Sequence, residues 1–472
     1  MHQITPLNLG RISMNNNKKV LVFIVLVTFI YLLLSVFSNT ISFYFPNFKN
    51  VDLLSEILLK RDNENKTKFA TSQTLFSDTI SHKIFENYLN KGTIVSFDSD
   101  TLNPSLKKFN HKLLQLAHGE KVKIRIAWFG DSQIEGDLIT KDVRVLLQNY
   151  FNKKTGVGFV PLTSVCGDFR QTANVSTFGD FQAENFKNMN AESSLFLSGY
   201  SYFSDDLIVN FKDNVVKDAL QKTQKWLLYG KGDSITVSKN GDSTKYPANR
   251  SLNKILLSNS PSNRQKLHIY SNRTPIYGLS SEPDFGIVLD NFSFRGISGD
   301  NLKKVSNAVL YDTNAAQSYD LVIFQYGVNL LFKPNEVNFD YYERMMNPIL
   351  KKYKASLNKA DFLMFSCSDR AFKYNGNWET AIGIDSLVKL QSKLAFKHDM
   401  AFYNLYQSIG GKGTVVKWAD STYQMANKDY IHFNSRGATK VANLIFKALI
   451  QDYKKTEKQA TKTIKKTSTP NT

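Results

Sequence analysis

The chain has 472 residues, of which 42% are hydrophobic and 21% are charged, a composition that supports two or three packed domains and excludes a disordered or fibrous protein. Its formal net charge of +19 indicates an anionic neighbour, such as nucleic acid, an acidic polymer or a membrane surface. The two cysteines, Cys166 and Cys367, exclude a disulfide-built scaffold and a cysteine-built zinc site. Whether they form one disulfide with each other stays open.

An apolar segment lies near the N-terminus. Residues 20–37 read VLVFIVLVTFIYLLLSVF, and Arg11, Lys18 and Lys19 precede them. This length is just sufficient for a helix that crosses the hydrocarbon core of a bilayer, about 30 Å thick. The positive-inside rule predicts that residues 1–19 are cytoplasmic and that the rest is exported, and no small-x-small cleavage site follows. We therefore predict a transmembrane anchor, with a buried core helix as the alternative. Export argues against nucleic acid as the partner of the basic surface.

Two separate parts of the chain have the pattern of an α/β domain. Short runs that are almost continuously apolar, as buried parallel strands are, occur at 122–129, 320–326 and 360–366. Helical periodicity occurs around them, at 106–117, 138–150, 341–357, 383–397 and 435–450. We therefore predict one α/β domain with a parallel sheet, formed by residues 104–156 and 291–452.

The intervening residues 157–290 have a different texture. Short alternating runs, such as 234–238 and 266–270, follow one another closely and are separated by turn-rich pieces. This pattern predicts an inserted all-β sandwich or jelly roll that packs as a separate unit. Outside the two domains we predict a linker with a helical stalk at 38–103 and a disordered basic tail at 453–472.

Four short segments carry residues that could take part in catalysis. Ser132 lies between a predicted strand and a helix, where its N–H is near a helix start, which suits a nucleophile whose attack creates an oxyanion. Gly299 lies in a turn that exposes N–H groups, and Asn329 follows a buried strand and could aim its amide into a crevice. Asp429 could fix the ring tautomer of His432, whose other nitrogen would accept a serine proton. Taken singly, each residue is also compatible with an ordinary structural role: a helix cap, a loop glycine, a turn asparagine and a structural histidine.

The order of the four segments is more specific than any one of them. It is Gly-Asp-Ser, Gly, Gly-x-Asn and Asp-x-x-His, each beside a predicted strand end. This order resembles the SGNH family of GDSL-type esterases and acyl-transfer enzymes, over residues 120–150 and 291–450. In the second of the four segments, Gly299 matches the glycine of the family, and Gly296 is the weaker candidate. The resemblance implies a three-layer, flavodoxin-like α/β fold.

The resemblance also implies a role for each residue. Ser132 is expected to attack an ester carbonyl while His432 takes its proton and Asp429 orients His432. The backbone N–H groups of Ser132 and Gly299, together with the Asn329 amide, are expected to form the oxyanion hole. No metal and no diffusible cofactor is required.

A narrower resemblance concerns the substrate. Three segments are similar to exported bacterial peptidoglycan O-acetylesterases: the helix at 106–117, the Gly-Asp-Ser-Gln-x-x-Gly-Asp segment and Gly156-Val-Gly-Phe-Val-Pro161. In those enzymes a β-sandwich like a carbohydrate-binding module interrupts the catalytic domain. This implies a single-pass protein of the bacterial inner membrane with a periplasmic esterase domain, acting on acetylated cell-envelope polysaccharide. The alternatives are a glycan O-acetyltransferase with a membrane-bound O-acyltransferase partner and a non-catalytic glycan-binding protein.

Overall fold

The computed structural model describes most of the chain. The described residues are 16–36, 86–97, 102–164, 169–190, 194–217, 220–239 and 241–467. The chain divides into two compact units, residues 1–83 and 84–472. Most of the predicted linker and Cys166 lie outside the described residues, whereas Cys367 is buried with a free thiol.

The first unit contributes one described helix, α1 (Asn16–Val36), at the position of the predicted apolar segment. Its side chains over residues 20–30 are exposed. Among the described residues, no helix combines the length and the hydropathy needed to span a bilayer. The helix is confirmed, and the anchor stays a prediction from the sequence.

The second unit contains eight α-helices and nineteen strands among its described residues. The helices are α2 (Lys107–Ala117), α3 (Thr140–Phe151), α4 (Asn307–Ala316), α5 (Asp340–Ser356), α6 (Ile384–Lys397), α7 (Leu405–Ile409), α8 (Thr414–Asp420) and α9 (Ser435–Thr467). The strands are β1 (Ile94–Val95), β2 (Lys123–Gly130), β3 (Gly158–Val160), β4 (Ala173–Phe178), β5 (Gln182–Asn185), β6 (Tyr200–Phe203), β7 (Asp206–Asp213), β8 (Thr223–Tyr229), β9 (Ser234–Lys239), β10 (Asp242–Pro247), β11 (Asn253–Ser260), β12 (Arg264–Tyr270), β13 (Ile276–Pro283), β14 (Gly286–Ser293), β15 (Leu321–Gln325), β16 (Asp361–Phe365), β17 (Ala371–Tyr374), β18 (Asn377–Thr380) and β19 (Ala401–Tyr403).

A six-stranded sheet forms the centre of the α/β part. Its strand order is β1-β19-β16-β15-β2-β14, and all neighbours are parallel except β1, which pairs antiparallel with β19 at the edge. Numbered along the chain, the five parallel strands follow the order 2-1-3-4-5 of flavodoxin-like folds. The predicted α/β class and parallel sheet are confirmed.

Helices cover both faces of this sheet. Side chains alternate along β2, so Ile126 and Trp128 belong to the core beneath α2, α3 and α9, whereas Ala127 and Phe129 belong to the core shared with α4, α5 and α6. The sheet is buried on both sides, which explains why its strands are nearly continuous in hydrophobicity.

Residues between α3 and β14 form the predicted all-β insert. One antiparallel sheet has the order β10-β9-β12-β7-β4, and the other has the order β11-β8-β13-β6-β5, with β3 paired to β13. Apolar side chains of both sheets, among them Val209, Ile269 and Leu227, belong to one hydrophobic cluster.

The insert shares its core with the α/β part. The Phe292 ring, on β14, lies 5.2 Å from the Phe129 ring of β2, and 5.5 Å and 5.8 Å from the rings of Phe159 and Phe196 in the insert. The insert therefore does not pack as the separate unit that we expected, because apolar side chains at its base have no other cover.

Three predicted boundaries need correction. Residues 286–290, assigned to the insert, begin β14 of the parallel sheet, since a short apolar run does not reveal which sheet it joins. Residues 94–95, assigned to the linker, form β1. The tail assigned to 453–472 is helical through Thr467, and Tyr453 is buried with its ring 5.2 Å from that of Phe151.

Candidate active site

The sheet topology brings Ser132 and Asn329 to one crevice. The strand order reverses between β2 and β15, and side chains just beyond the carboxyl ends of strands at such a reversal line a ligand-binding crevice. Ser132 follows the last residue of β2, and Asn329 follows the last residue of β15, by two and four residues. Both residues line a cleft of about 720 Å³.

Ser132, His432 and Asp429 form one hydrogen-bonded chain. The Ser132 Oγ lies 2.7 Å from His432 Nε2, and His432 Nδ1 lies 2.7 Å from Asp429 Oδ2. Burial alone would raise the pKa of Asp429, but hydrogen bonds from the backbone N–H and ring of His432 hold it below its ordinary value. Asp429 is therefore ionised at neutral pH, the state that fixes a histidine ring by accepting its Nδ1 proton.

A tight turn lets Asp429 reach the ring of His432. Tyr430 has φ of 57°, a left-handed conformation that is uncommon for a residue with a bulky side chain. Its ring stacks on Trp378 of β18 with centroids 4.1 Å apart, and its hydroxyl donates to Asp420 at 2.9 Å. These contacts hold the turn, so Asp429 Oδ1 also accepts the backbone N–H groups of Ile431 and His432 at 3.0 Å.

The backbone N–H groups of Ser132 and Gly299 have no acceptor among the described residues. Gly299 is buried, has φ of 94°, and lies against Tyr326 and Met346, whereas Gly296 is exposed and borders the cleft. Backbone N–H groups of buried residues are seldom left without an acceptor in proteins.

Asn329 is held by a buried carboxyl group that the sequence did not single out. The Asn329 Nδ2 donates to the Ile297 carbonyl at 2.9 Å and to Asp131 Oδ2 at 3.2 Å. The other Asp131 oxygen accepts the Gln133 N–H at 3.0 Å. Burial raises the pKa of the Asp131 carboxyl to about 7. Asp131 thus accepts hydrogen bonds both from Gln133, next to the nucleophile in the sequence, and from Asn329 across the crevice.

Gln133 is a second residue whose position only the structure reveals. Its Nε2 donates to the Ile431 carbonyl at 2.8 Å, which joins the Ser132 turn to the loop that carries His432. The only sequence signal was its place in the Gly-Asp-Ser-Gln motif.

The cleft around Ser132 is basic. Four cationic side chains line it: Lys141, Lys187, Arg295 and Arg370. The only acidic lining residue among those described is Glu135, and Arg295 pairs with it at 2.7 Å. The excess of positive charge favours a substrate that carries negative charge.

The described residues contain no cluster of three or more histidine, cysteine, aspartate or glutamate side chains that could hold a metal ion.

Comparisons with known proteins agree with this architecture. No protein-family model and no curated protein matches the sequence. Among solved structures, a peptidoglycan O-acetylesterase superposes with a TM-score of 0.62 at 21% identity, covering 75% of this chain and 99% of that one.

Two further solved structures are weaker matches. A GDSL-like lipase from Parabacteroides merdae covers 35% of this chain and 74% of its own at 17% identity, with a TM-score of 0.27. An acetyl xylan esterase covers 34% and 81% at 16% identity, with a TM-score of 0.26. Scores this low carry no argument by themselves. The superposition on the O-acetylesterase extends over nearly that whole chain, and the chain described here therefore shares the fold of that solved structure.

Proposed function

We propose that the protein is a serine esterase that removes O-acetyl groups from an anionic cell-envelope glycan, with peptidoglycan as the first candidate. One observation carries the esterase proposal: the hydrogen-bonded chain from Ser132 Oγ through the His432 ring to Asp429, with both contacts at 2.7 Å. A nucleophile, a base and a group that orients the base are the parts that ester hydrolysis by an acyl-enzyme needs.

In the first half-reaction, Ser132 Oγ forms a bond to the ester carbonyl carbon while its proton passes to His432 Nε2. The tetrahedral intermediate then collapses, the bond to the sugar oxygen breaks, and that oxygen takes the proton from His432. In the second half-reaction a water molecule gives a proton to His432 and attacks the acyl-enzyme. Acetate leaves, and Ser132 Oγ recovers the proton.

The oxyanion of each tetrahedral intermediate needs donors. The N–H groups of Ser132 and Gly299, which have no acceptor among the described residues, support their assignment to this role; Ser132 and Asn329 line the cleft, whereas Gly299 is not among its lining residues. The Asn329 amide already donates to Asp131 and Ile297, so its contribution requires that one of these bonds be shared with the oxyanion. Loss of one such donor typically lowers the rate by about 10²–10³-fold.

Two observations support the choice of substrate. The basic lining of the cleft suits a glycan with carboxylate groups, as peptidoglycan has on its stem peptides. The solved structure with a TM-score of 0.62 is a peptidoglycan O-acetylesterase.

The location outside the cytoplasm is a separate part of the proposal. It rests on the apolar residues 20–37 with basic residues before them. A reporter that is active only in the cytoplasm, fused after Thr472 so that α9 stays whole, should be silent. A bright reporter would overturn the location and with it the cell-envelope substrate.

The activity is tested by acetate release from O-acetylated peptidoglycan. We expect release by the wild type, none above background by Ser132→Ala, and near wild-type release by Ser435→Ala, a control at another serine that lines the cleft. A serine-reactive fluorophosphonate should label the wild type and not Ser132→Ala. Absence of both label and acetate would contradict the esterase.

The same assay decides between hydrolysis and transfer. If acetyl groups pass to an added oligosaccharide much faster than acetate is released, the protein is a glycan O-acetyltransferase. If the label forms but neither reaction occurs, the acyl group is not acetyl.

A further inference from the structure

A second cleft lies at the opposite end of the parallel sheet from Ser132. Its volume is about 1000 Å³, and it opens where β8 and β11 of the insert meet the start of β2 and the end of α4. Lys123 begins β2 and Gly130 ends it, so at ~3.3 Å per residue the two clefts are separated by about 23 Å. The second cleft is therefore distinct from the active site.

One wall of the second cleft has more cations than carboxylates. Glu282, fully buried, accepts hydrogen bonds from Lys123 at 3.0 Å, from Lys254 at 2.8 Å and from Arg125. The next carboxylate, Asp290, lies 3.8 Å from Arg125. Burial and the nearby charge of Arg125 lower the pKa of the Lys254 ammonium to about 8. Three cations therefore face two buried carboxylates, Glu282 and Asp290, and the remaining positive charge favours an incoming anion.

The other wall is aromatic. Trp226 and Tyr246 are half-buried rings that line the cleft, Tyr229 is buried behind them, and Lys254 Nζ lies 4.5 Å from the centre of the Trp226 ring. In the described part of the chain, the buried Trp226 Nε1 has no hydrogen-bond acceptor. Arg250 lines the cleft as well; its side chain is 63% exposed and lies 3.9 Å from the Asp312 carboxylate. An aromatic ring and cationic side chains in one cleft suit a ligand with both an apolar ring face and negatively charged oxygens.

We propose that this cleft binds a carboxylate-bearing segment of a glycan, separately from the ester that is cleaved. Aromatic rings pack against the C–H faces of sugar rings, and the cations pair with the carboxylate. A small inorganic anion would leave the aromatic wall unused. The choice of a glycan rests in part on the proposed function, whereas the clustered cations and aromatic rings do not depend on it.

A second site would alter how the protein works on a polymer. Binding at both clefts makes the second contact intramolecular, which raises the effective concentration of ester groups near Ser132. The gain would apply to chains long enough to span both clefts, and a small acetyl ester would not benefit.

The test measures binding without catalysis, by titration calorimetry on the full chain carrying Ser132→Ala. The probe is tetragalacturonate, an acidic oligosaccharide, and the reference ligands are neutral chitotetraose, citrate and a short DNA oligonucleotide. We expect Trp226→Ala and Arg250→Glu each to weaken tetragalacturonate binding at least tenfold. The matched controls Tyr270→Ala and Arg264→Glu, exposed residues on the other sheet of the insert, should change it less than twofold.

The reference ligands separate a site for acidic glycans from a neutral-sugar site, a general anion site and a nucleic-acid site. Chitotetraose should bind at least tenfold more weakly than tetragalacturonate, and citrate and DNA should be no better than chitotetraose. With Ser132 intact, Trp226→Ala and Arg250→Glu should hydrolyse a small acetyl ester at the wild-type rate, so failure of the esterase and failure of the second site give different results. Undiminished tetragalacturonate binding in both variants, no binding by the parent protein, or equal binding of citrate or DNA would overturn the proposal.

Discussion

At the scale of single residues, the site depends on a few buried or half-buried polar groups that hold one another. Ser132 contacts His432, which contacts Asp429. Behind them, Asp131 joins Asn329 to the turn of the nucleophile. The first set acts in the chemistry that we propose, and the second acts through position, so substitutions in the two sets should have different signatures.

Asp429→Asn should slow the reaction less than Ser132→Ala or His432→Ala. Asp429 acts through the His432 ring and forms no bond to substrate, so its loss leaves the nucleophile and the base in place. In a serine protease with the same three roles, the losses in kcat are about 10⁴-fold for the aspartate and about 10⁶-fold for the serine or histidine. Initial rates on a small acetyl ester give the ranking, and wild-type activity in Asp429→Asn would mean that another group orients His432.

Asp131 should make stability depend on pH. Burial raises its pKa from 3.8 to about 7, so between these values the native carboxyl keeps a proton that the unfolded chain has lost. The contribution of this group to the free energy of unfolding is therefore complete below about pH 4 and falls by about 1.4 kcal/mol per pH unit until about pH 7. Above that value it no longer changes.

Urea unfolding of Asp131→Asn and wild type between pH 4.5 and 8 measures this contribution. The difference in unfolding free energy between the two proteins should change steadily up to about pH 7 and then level off. Asp180→Asn, which removes an exposed carboxylate, is the control. A difference that does not vary with pH would show that Asp131 is ionised throughout.

At the scale of elements, the loop between α8 and α9 is the part that must be held in place. It carries Asp429 and His432, and its turn depends on the left-handed conformation of Tyr430. The ring of Tyr430 packs on Trp378 in the β17–β18 hairpin, and the Ala371 N–H donates to the Tyr430 carbonyl at 3.1 Å. The β17–β18 hairpin thus packs against the loop that carries Asp429 and His432.

Trp378→Ala should lower kcat about tenfold and leave KM nearly unchanged. Aromatic pairs contribute about 0.5–1.5 kcal/mol, and 1.4 kcal/mol of lost positioning corresponds to about a tenfold loss in rate. Trp378→Phe keeps a ring beneath Tyr430 and should recover most of the activity. If Trp378→Ala matched the wild type in steady-state kinetics, the stack would not be what positions His432.

At the scale of the whole molecule, the insert and the α/β part depend on each other. Phe292 lies between Phe129 on one side and Phe159 and Phe196 on the other, so either part without its partner would expose these rings. Arg125 of β2 also pairs with Glu282 of β13 across the same boundary.

Residues 84–472 should therefore unfold in one cooperative transition. Phe292→Ala removes a ring that both parts share, so it should cost about 3–5 kcal/mol and lower the single melting temperature without splitting the transition. Phe178→Ala, at a ring that is 60% exposed, should change stability by no more than about 0.5 kcal/mol. Differential scanning calorimetry that resolved two separate transitions in the wild type would contradict this interdependence.

The sequence by itself determined the α/β class, the all-β insert and the set of candidate catalytic residues. Parallel strands buried on both faces must be continuously apolar, so β2, β15 and β16 are visible as local patterns. The spacing of Asp429 and His432 is equally local, because a carboxylate three residues before a histidine can reach its ring within one turn.

Only the tertiary structure decided how distant segments meet. The burial of Asp131, the burial of Gly299 and the bond from Gln133 to Ile431 each depend on packing between segments up to about 300 residues apart, which no local pattern records. The same reason explains why β14 joined the parallel sheet and why Tyr453 extended α9 into the predicted tail. Composition and periodicity indicate which secondary structure a segment prefers. The segments packed against it decide which of its surfaces is buried and which of its polar groups are paired.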